Sequence, residues 1–158
     1  MQKFVFTVIG LGLLVGYLAP SGQSARPAKA EAAIGDSQEP QETVLEREED
    51  GHFYAHAEVN GELVRFLIDT GATGVALTRA DAERIGLERD PGGQEIVGTG
   101  ASGPVRGERV ELDSVSLDGK QALGLEGVVL DGLEVSLLGQ SYLGQYSMEV
   151  RGDTMRLE

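Results

Sequence analysis

Phe53, Ala55, Ala57 and Val59 alternate with Tyr54, His56 and Glu58, and Asn60-Gly61 comes directly after. Period-two alternation puts the apolar set on one face of a strand. An Asn-Gly pair tolerates the positive φ that a two-residue hairpin turn requires. This one stretch commits the domain to antiparallel sheet, and the rest of the chain agrees. Val64-Arg65-Phe66-Leu67-Ile68 returns as a largely apolar strand suited to the inside of a sheet. Gly74 to Leu77 reads as strand, and Thr78 then caps a brief helix from Arg79 to Ile85, with Asp81 at the third position and Gly86 as its stop. Val110, Leu112, Val115 and Leu117 lead into a second turn pair, Asp118-Gly119; Val128-Val129-Leu130 leads into a third, Asp131-Gly132. Ser147 to Glu158 reads as a hairpin folded at Arg151-Gly152-Asp153. With 23 Gly and no Trp, the composition also favours short strands and tight turns over long packed helices. The expected fold class is mainly β with one or two short helices.

Ahead of this domain the chain changes character twice. Phe4 to Ala19 is a run without charge, preceded by Lys3. As a helix it spans roughly 24 Å, somewhat short of the ~30 Å hydrocarbon core. It reads as an uncleaved single-pass membrane anchor or a secretory signal peptide; Pro20 directly after Ala19 disfavours cleavage at the obvious point. Either reading exports the remainder of the chain, so the expected location is the inner membrane with the C-terminal domain on the periplasmic side. Residues 21–50 are rich in Ala, Ser, Pro, Gln and Glu and end in the acidic run Glu46 to Asp50. They show neither a two-residue nor a 3.6-residue period, which is the composition of a disordered, self-repelling linker. The expected division is 1–20 anchor or signal segment, 21–50 linker and 51–158 folded domain.

The formal net charge of −13 repels phosphate backbones and anionic lipid headgroups, which argues against nucleic acid as a partner. The absence of Cys removes disulfides, thiolate metal sites and cysteine nucleophiles together.

Phe66-Leu67-Ile68-Asp69-Thr70-Gly71-Ala72-Thr73 is the most informative stretch. A carboxylate ending a nearly all-apolar strand is expensive to bury unless its surroundings compensate. Thr70 offers a hydroxyl that both donates and accepts; Gly71 lets the backbone turn sharply and lie close to a carboxylate or substrate. Two carboxyls about 3 Å apart cannot both ionise, so they share one proton. One then acts as base toward water and the other as acid toward a peptide carbonyl, and they titrate as a pair.

On these residues the chain resembles the retropepsin-like aspartic proteases, most closely their membrane-anchored bacterial branch. Asp69-Thr70-Gly71-Ala72 is similar to that family's catalytic loop, preceded by its hydrophobic strand. Leu137-Leu138-Gly139 is similar to its later apolar-apolar-Gly element, succeeded by a short helical stretch from Gln140 to Gln145. The resemblance runs in order from about Phe53 to Leu157. It implies a closed β barrel or sandwich, with Asp69 as the catalytic acid/base. It further implies that Thr70, Gly71, Ala72, Leu138 and Gly139 support the active-site loop, and that a flap in Val97 to Pro104 carries Thr99, Gly100 and Ala101 at its tip. It implies no cofactor and no metal. Only one Asp-Thr-Gly occurs and no Asp-Ser-Gly, so the second carboxylate has to come from another copy, through a two-fold homodimer. The C-terminal strand from Thr154 to Glu158 is a candidate for the sheet between subunits, and a shared membrane would favour pairing. The substrate is expected to be polypeptide; the rival reading is a non-catalytic protein-binding module on the same fold.

Other signals are weaker. Gly98 to Gly103 spells G-x-G-x-x-G with Asp118 downstream, but no helical face comes after it, so a dinucleotide site is rejected. His52 and His56 sit about 13 Å apart on one strand face, and are read as solvated strand residues.

Overall fold

A computed structural model describes residues 39–88, 92–100 and 103–158. The apolar run Phe4 to Ala19, most of the linker and the flap residue Ala101 lie outside the described residues. Among the described residues no helix is long and apolar enough to cross a membrane.

Ten strands and two short helices succeed one another: β1 Thr43–Glu46, β2 Tyr54–Val59, β3 Glu62–Ile68, β4 Val75–Thr78, α1 Arg79–Arg84, β5 Glu95–Gly100, β6 Gly103–Leu117, β7 Lys120–Leu130, β8 Ser136–Leu138, α2 Gln140–Leu143, β9 Met148–Arg151 and β10 Thr154–Leu157. Two of the expected turns carry the backbone their residues allow. Asn60 and Gly61 have φ of 52° and 87°, Asp118 and Gly119 of 49° and 77°. Both central residues are therefore left-handed, as a type I′ hairpin requires, and each pair joins antiparallel neighbours.

The large sheet runs β2-β3-β8-β4-β7-β6-β5, and β2 also pairs with β6 through Glu58↔Ser116 and Val59↔Val115. That last pairing closes six strands into a barrel and leaves β5 as an outrigger on β6. Phe66, Leu77, Leu112, Val129, Leu138 and Tyr142 fill the interior, each fully buried. The Tyr142 hydroxyl donates to the Lys120 carbonyl at 2.6 Å and accepts from the Leu117 amide at 3.1 Å. Burial pushes its phenol well above the ordinary value, so the ring stays neutral.

The structure differs from the sequence reading in two places. Thr43–Glu46, inside the stretch read as linker, is strand β1, paired with β10 from Thr43↔Leu157 to Glu46↔Thr154. Nothing local to this strand signals burial. It is held by the distant turn: Thr43 Oγ1 donates to Asp118 at 2.6 Å, Gln41 N to the Asp118 carbonyl at 2.9 Å, and Lys120 Nζ to the Gln41 carbonyl. The second difference concerns β10, expected to pair between subunits. It lies in the middle of a three-stranded sheet, with β1 on one edge and β9 on the other. Both its hydrogen-bonding edges are satisfied within the chain. The expected hairpin at Arg151-Gly152-Asp153 does form, with Gly152 at φ 59°.

Candidate active site

β3 and β8 run parallel side by side, pairing Phe66↔Ser136, Leu67↔Leu137 and Ile68↔Leu138. Where they end, the amide of Asp69 donates to the Leu138 carbonyl at 3.0 Å. The Asp69 carboxylate, half-buried, accepts from the Gly71 amide at 2.9 Å, and the Ala72 amide donates to the Asp69 carbonyl at 3.2 Å. The loop thus folds back on its own acid. A Cβ on Gly71 would stand 3.2 Å from Asp69 Oδ1, a crowded contact, which is why a glycine suits the position.

A second loop clamps the first. The amides of Gln140 and Ser141 donate to the carbonyls of Ala72 and Thr73, both at 2.9 Å. The Gln140 side-chain amide donates to the Thr70 carbonyl at 3.1 Å. These bonds demand that Gly139 lie almost against the Asp69 loop. A Cβ there would fall on the Gly74 carbonyl oxygen and 2.6 Å from that of Ala72. Leu138, just before it, is fully buried. Gln140 is a contributor the sequence reading did not single out; its first-turn position after the apolar-apolar-Gly element is its only sequence signal.

The next turn of chain is fixed by a buried polar knot. Ser136 Oγ donates to Asp81 at 2.6 Å and accepts from the Thr78 amide at 3.0 Å; Thr78 Oγ1 caps α1 by accepting from the Asp81 amide at 3.0 Å. Burial pushes the Asp81 carboxyl up, but hydrogen bonds from Ser136, Arg84 and Thr78 outweigh it and hold the group below its ordinary value.

Asp69 opens into a cleft of about 470 Å³. One wall is the Asp69 loop and β4. The other is the β5–β6 hairpin, which contributes Val97, Thr99, Gly100 and Val105. The hairpin pairs Thr99↔Pro104 and Gly100↔Gly103, so the Gly-rich segment is a β-hairpin and not the strand-to-helix turn of a dinucleotide site. A register shift between Ile96 and Gly98 bulges the strand at Val97, one of the cleft-lining residues. At the hairpin's base, Arg109 Nε donates to Glu95 at 2.7 Å. The Thr70 hydroxyl, by contrast, is exposed and has no hydrogen-bond partner among the described residues.

Comparison with known proteins agrees with this architecture. Residues 55–145 match the family model described as "gag-polyprotein putative aspartyl protease". A retropepsin-like aspartic protease from Rickettsia conorii, known from its crystal structure, superposes with a TM-score of 0.63 at 34% identity, covering 74% of this chain and 90% of that one. The EIAV protease complexed with the inhibitor HBY-793 superposes with a TM-score of 0.50 at 22% identity, over 58% of this chain and 85% of that one, a likeness of fold alone. The Sinorhizobium sp "Uncharacterized protein in cobV 5'region" is 37% identical over 162 residues, 99% of this chain. "Uncharacterized protein RP867" of Rickettsia prowazekii (strain Madrid E) is 45% identical over 47 residues, 30% of this chain. The chain spans 65% and 20% of the lengths of these two relatives. With barrel, clamped Asp-Thr-Gly loop and family match in accord, the chain belongs to the gag-polyprotein aspartyl protease family and has the retropepsin-like fold.

Proposed function

We propose that the domain is an aspartic endopeptidase that hydrolyses peptide bonds only when two copies pair. The observation that carries this reading is the single half-buried Asp69, clamped by backbone hydrogen bonds and opening into a cleft roofed by a β-hairpin. Across a two-fold axis, two Asp69 carboxyls hold one proton between them. The ionised one takes a proton from water as that water attacks the peptide carbonyl; the protonated one delivers its proton to the carbonyl oxygen. As the tetrahedral intermediate collapses, the carboxyl that took water's proton gives it to the amide nitrogen and the other takes back a hydroxyl proton. The C–N bond thus breaks to an amine and a carboxylic acid, and the pair again shares one proton.

The Thr70 hydroxyl, exposed and unpartnered among the described residues, would bond its counterpart across the axis, while Gly71, Ala72 and the hairpin around Thr99 and Gly100 would hold the peptide's backbone. With β10 enclosed, the copies would join through an outer edge of the terminal sheet, β1 or β9. The apolar run Phe4 to Ala19 would hold both copies at the inner membrane with the domain outside the cytoplasm, raising their effective concentration.

Sedimentation and proteolysis of the full chain across protein concentration test the reading. Activity should rise with the square of concentration in the range where dimer is scarce, and Asp69→Asn should abolish cleavage without altering dimerisation or melting temperature. Cleavage retained in Asp69→Asn would refute the mechanism. Peptide binding without cleavage in the native chain would favour a binding module instead.

A further inference from the structure

The cleft's charge is unevenly satisfied. Arg109, one of its lining residues, is bonded by Glu95 at 2.7 Å. The side chain of Glu126, which lines the cleft on β7, has no hydrogen bond or ion pair among the described residues. Directly across the β6–β7 ladder stands Glu111, also without such a partner, since the register pairs Glu111↔Glu126. Like charges directly opposite on one sheet face repel, and no cation among the described residues is bonded to either. One guanidinium stands two rungs along, where Arg109 pairs with Val128, and Glu95 already engages it.

Glu126 also stands beside the catalytic loop. Val75 pairs with Gly127, the next residue along β7, and a Cβ on Gly74 would lie 3.9 Å from the Glu126 carbonyl and 3.8 Å from Ser141 Oγ. Glycine at position 74 keeps that corner of the cleft open. Ser141, another lining residue of the cleft, has its Oγ buried without a hydrogen-bond partner among the described residues. A hydroxyl so placed is left for an occupant to satisfy.

We propose that Glu126 is a specificity-determining residue of the cleft, selecting a lysine or arginine side chain of the peptide at a position away from the scissile bond. The proposal rests on the endopeptidase reading above. A cation between Glu126 and Glu111 cancels their repulsion, and Glu126 lies off to the side of Asp69, past Gly74, where a neighbouring residue of an extended peptide would run. The chain's net charge of −13 steers basic substrates in the same direction.

The test uses the full chain and sets of peptides that differ only by Lys, Leu or Glu at one position, scanned along both sides of the cleaved bond. At one position kcat/KM should favour Lys over Glu by about fivefold, the scale of a partly exposed ion pair. Glu126→Gln should bring that ratio near one, Glu126→Lys should invert it, and Glu126→Asp should retain it. The same peptides, bound to Asp69→Asn and to Asp69→Asn/Glu126→Gln and read by fluorescence anisotropy, report the preference independently of hydrolysis. A ratio unchanged by Glu126→Gln in both assays, or no Lys preference at any position, overturns the proposal. Absence of hydrolysis together with a Glu126-dependent binding preference would sink the endopeptidase reading while leaving this one standing.

Discussion

The two walls of the cleft are built on opposite principles. The Asp69 loop, residues 69–74, is locked from behind by backbone bonds to Leu138, Gln140 and Ser141, and rests on the fully buried Leu138. In the opposing hairpin β5 is nearly all exposed and pairs only with β6, and the surface ties at its base include the Arg109–Glu95 ion pair and a hydrogen bond from Gln94 to Asp131. On the proposed mechanism the carboxylate has to meet a twin within hydrogen-bonding distance and tolerates little positional error, so its support is dense and non-local. A roof that admits and releases an extended peptide needs the reverse: few buried contacts and low local stability. The contrast teaches that dense and sparse support are divided between the two walls of one cleft, and substitutions on the two walls should behave differently.

The severest break of that contrast is Gly139→Ala. Its Cβ has no space against the carbonyls of Ala72 and Gly74, so the two loops must part. We expect a loss of about 3 kcal/mol, read by urea unfolding, together with loss of cleavage. Gln140→Ala removes only the side-chain bond to the Thr70 carbonyl; about 1 kcal/mol of stability should go, with kcat falling more than KM changes.

Asp81→Asn probes the knot behind the loop through pH. The native carboxyl is held below its ordinary 3.8, so its ionised form stabilises the fold. That contribution is complete above 3.8 and disappears as pH falls through the lower folded value. The native chain should therefore lose stability more steeply than Asp81→Asn across that acid window, with the two converging at its lower end. Parallel curves would show that the knot is not electrostatically coupled to folding.

Glu95→Gln should have the smallest thermal effect, since the ion pair it weakens is half-exposed: under about 0.5 kcal/mol, within a degree or two in melting temperature. Its signature should instead be a changed KM as the hairpin loosens. A large stability loss here would mean the roof is part of the rigid scaffold.

Local chemistry made the turns and the loop legible. Asn60-Gly61 and Asp118-Gly119 adopt left-handed backbone because those residues tolerate it, and Thr78 caps α1 through a bond three residues long. Asp69-Thr70-Gly71 and Leu138-Gly139 could be identified because each needs its own residue types in a short span. β1 could not, because its tie to Asp118 spans a chain separation that no periodicity encodes. For the same reason β1 lies inside the stretch expected as linker, and β10, a candidate for the sheet between subunits, has one edge covered by β1.

The residues unaided marked the candidate acid and the punctuation: one carboxylate ending an apolar strand, the places where the chain turns, and a single Asp-Thr-Gly. Only the closed barrel decided which distant groups meet. It set Gln140 behind Thr70 and Ser136 on Asp81. The physical reason is range. Turns, caps and the pairing of consecutive strands are fixed by φ preferences and bonds over short stretches, whereas the clamp and the knot exist only after strands far apart in the chain have been brought into register.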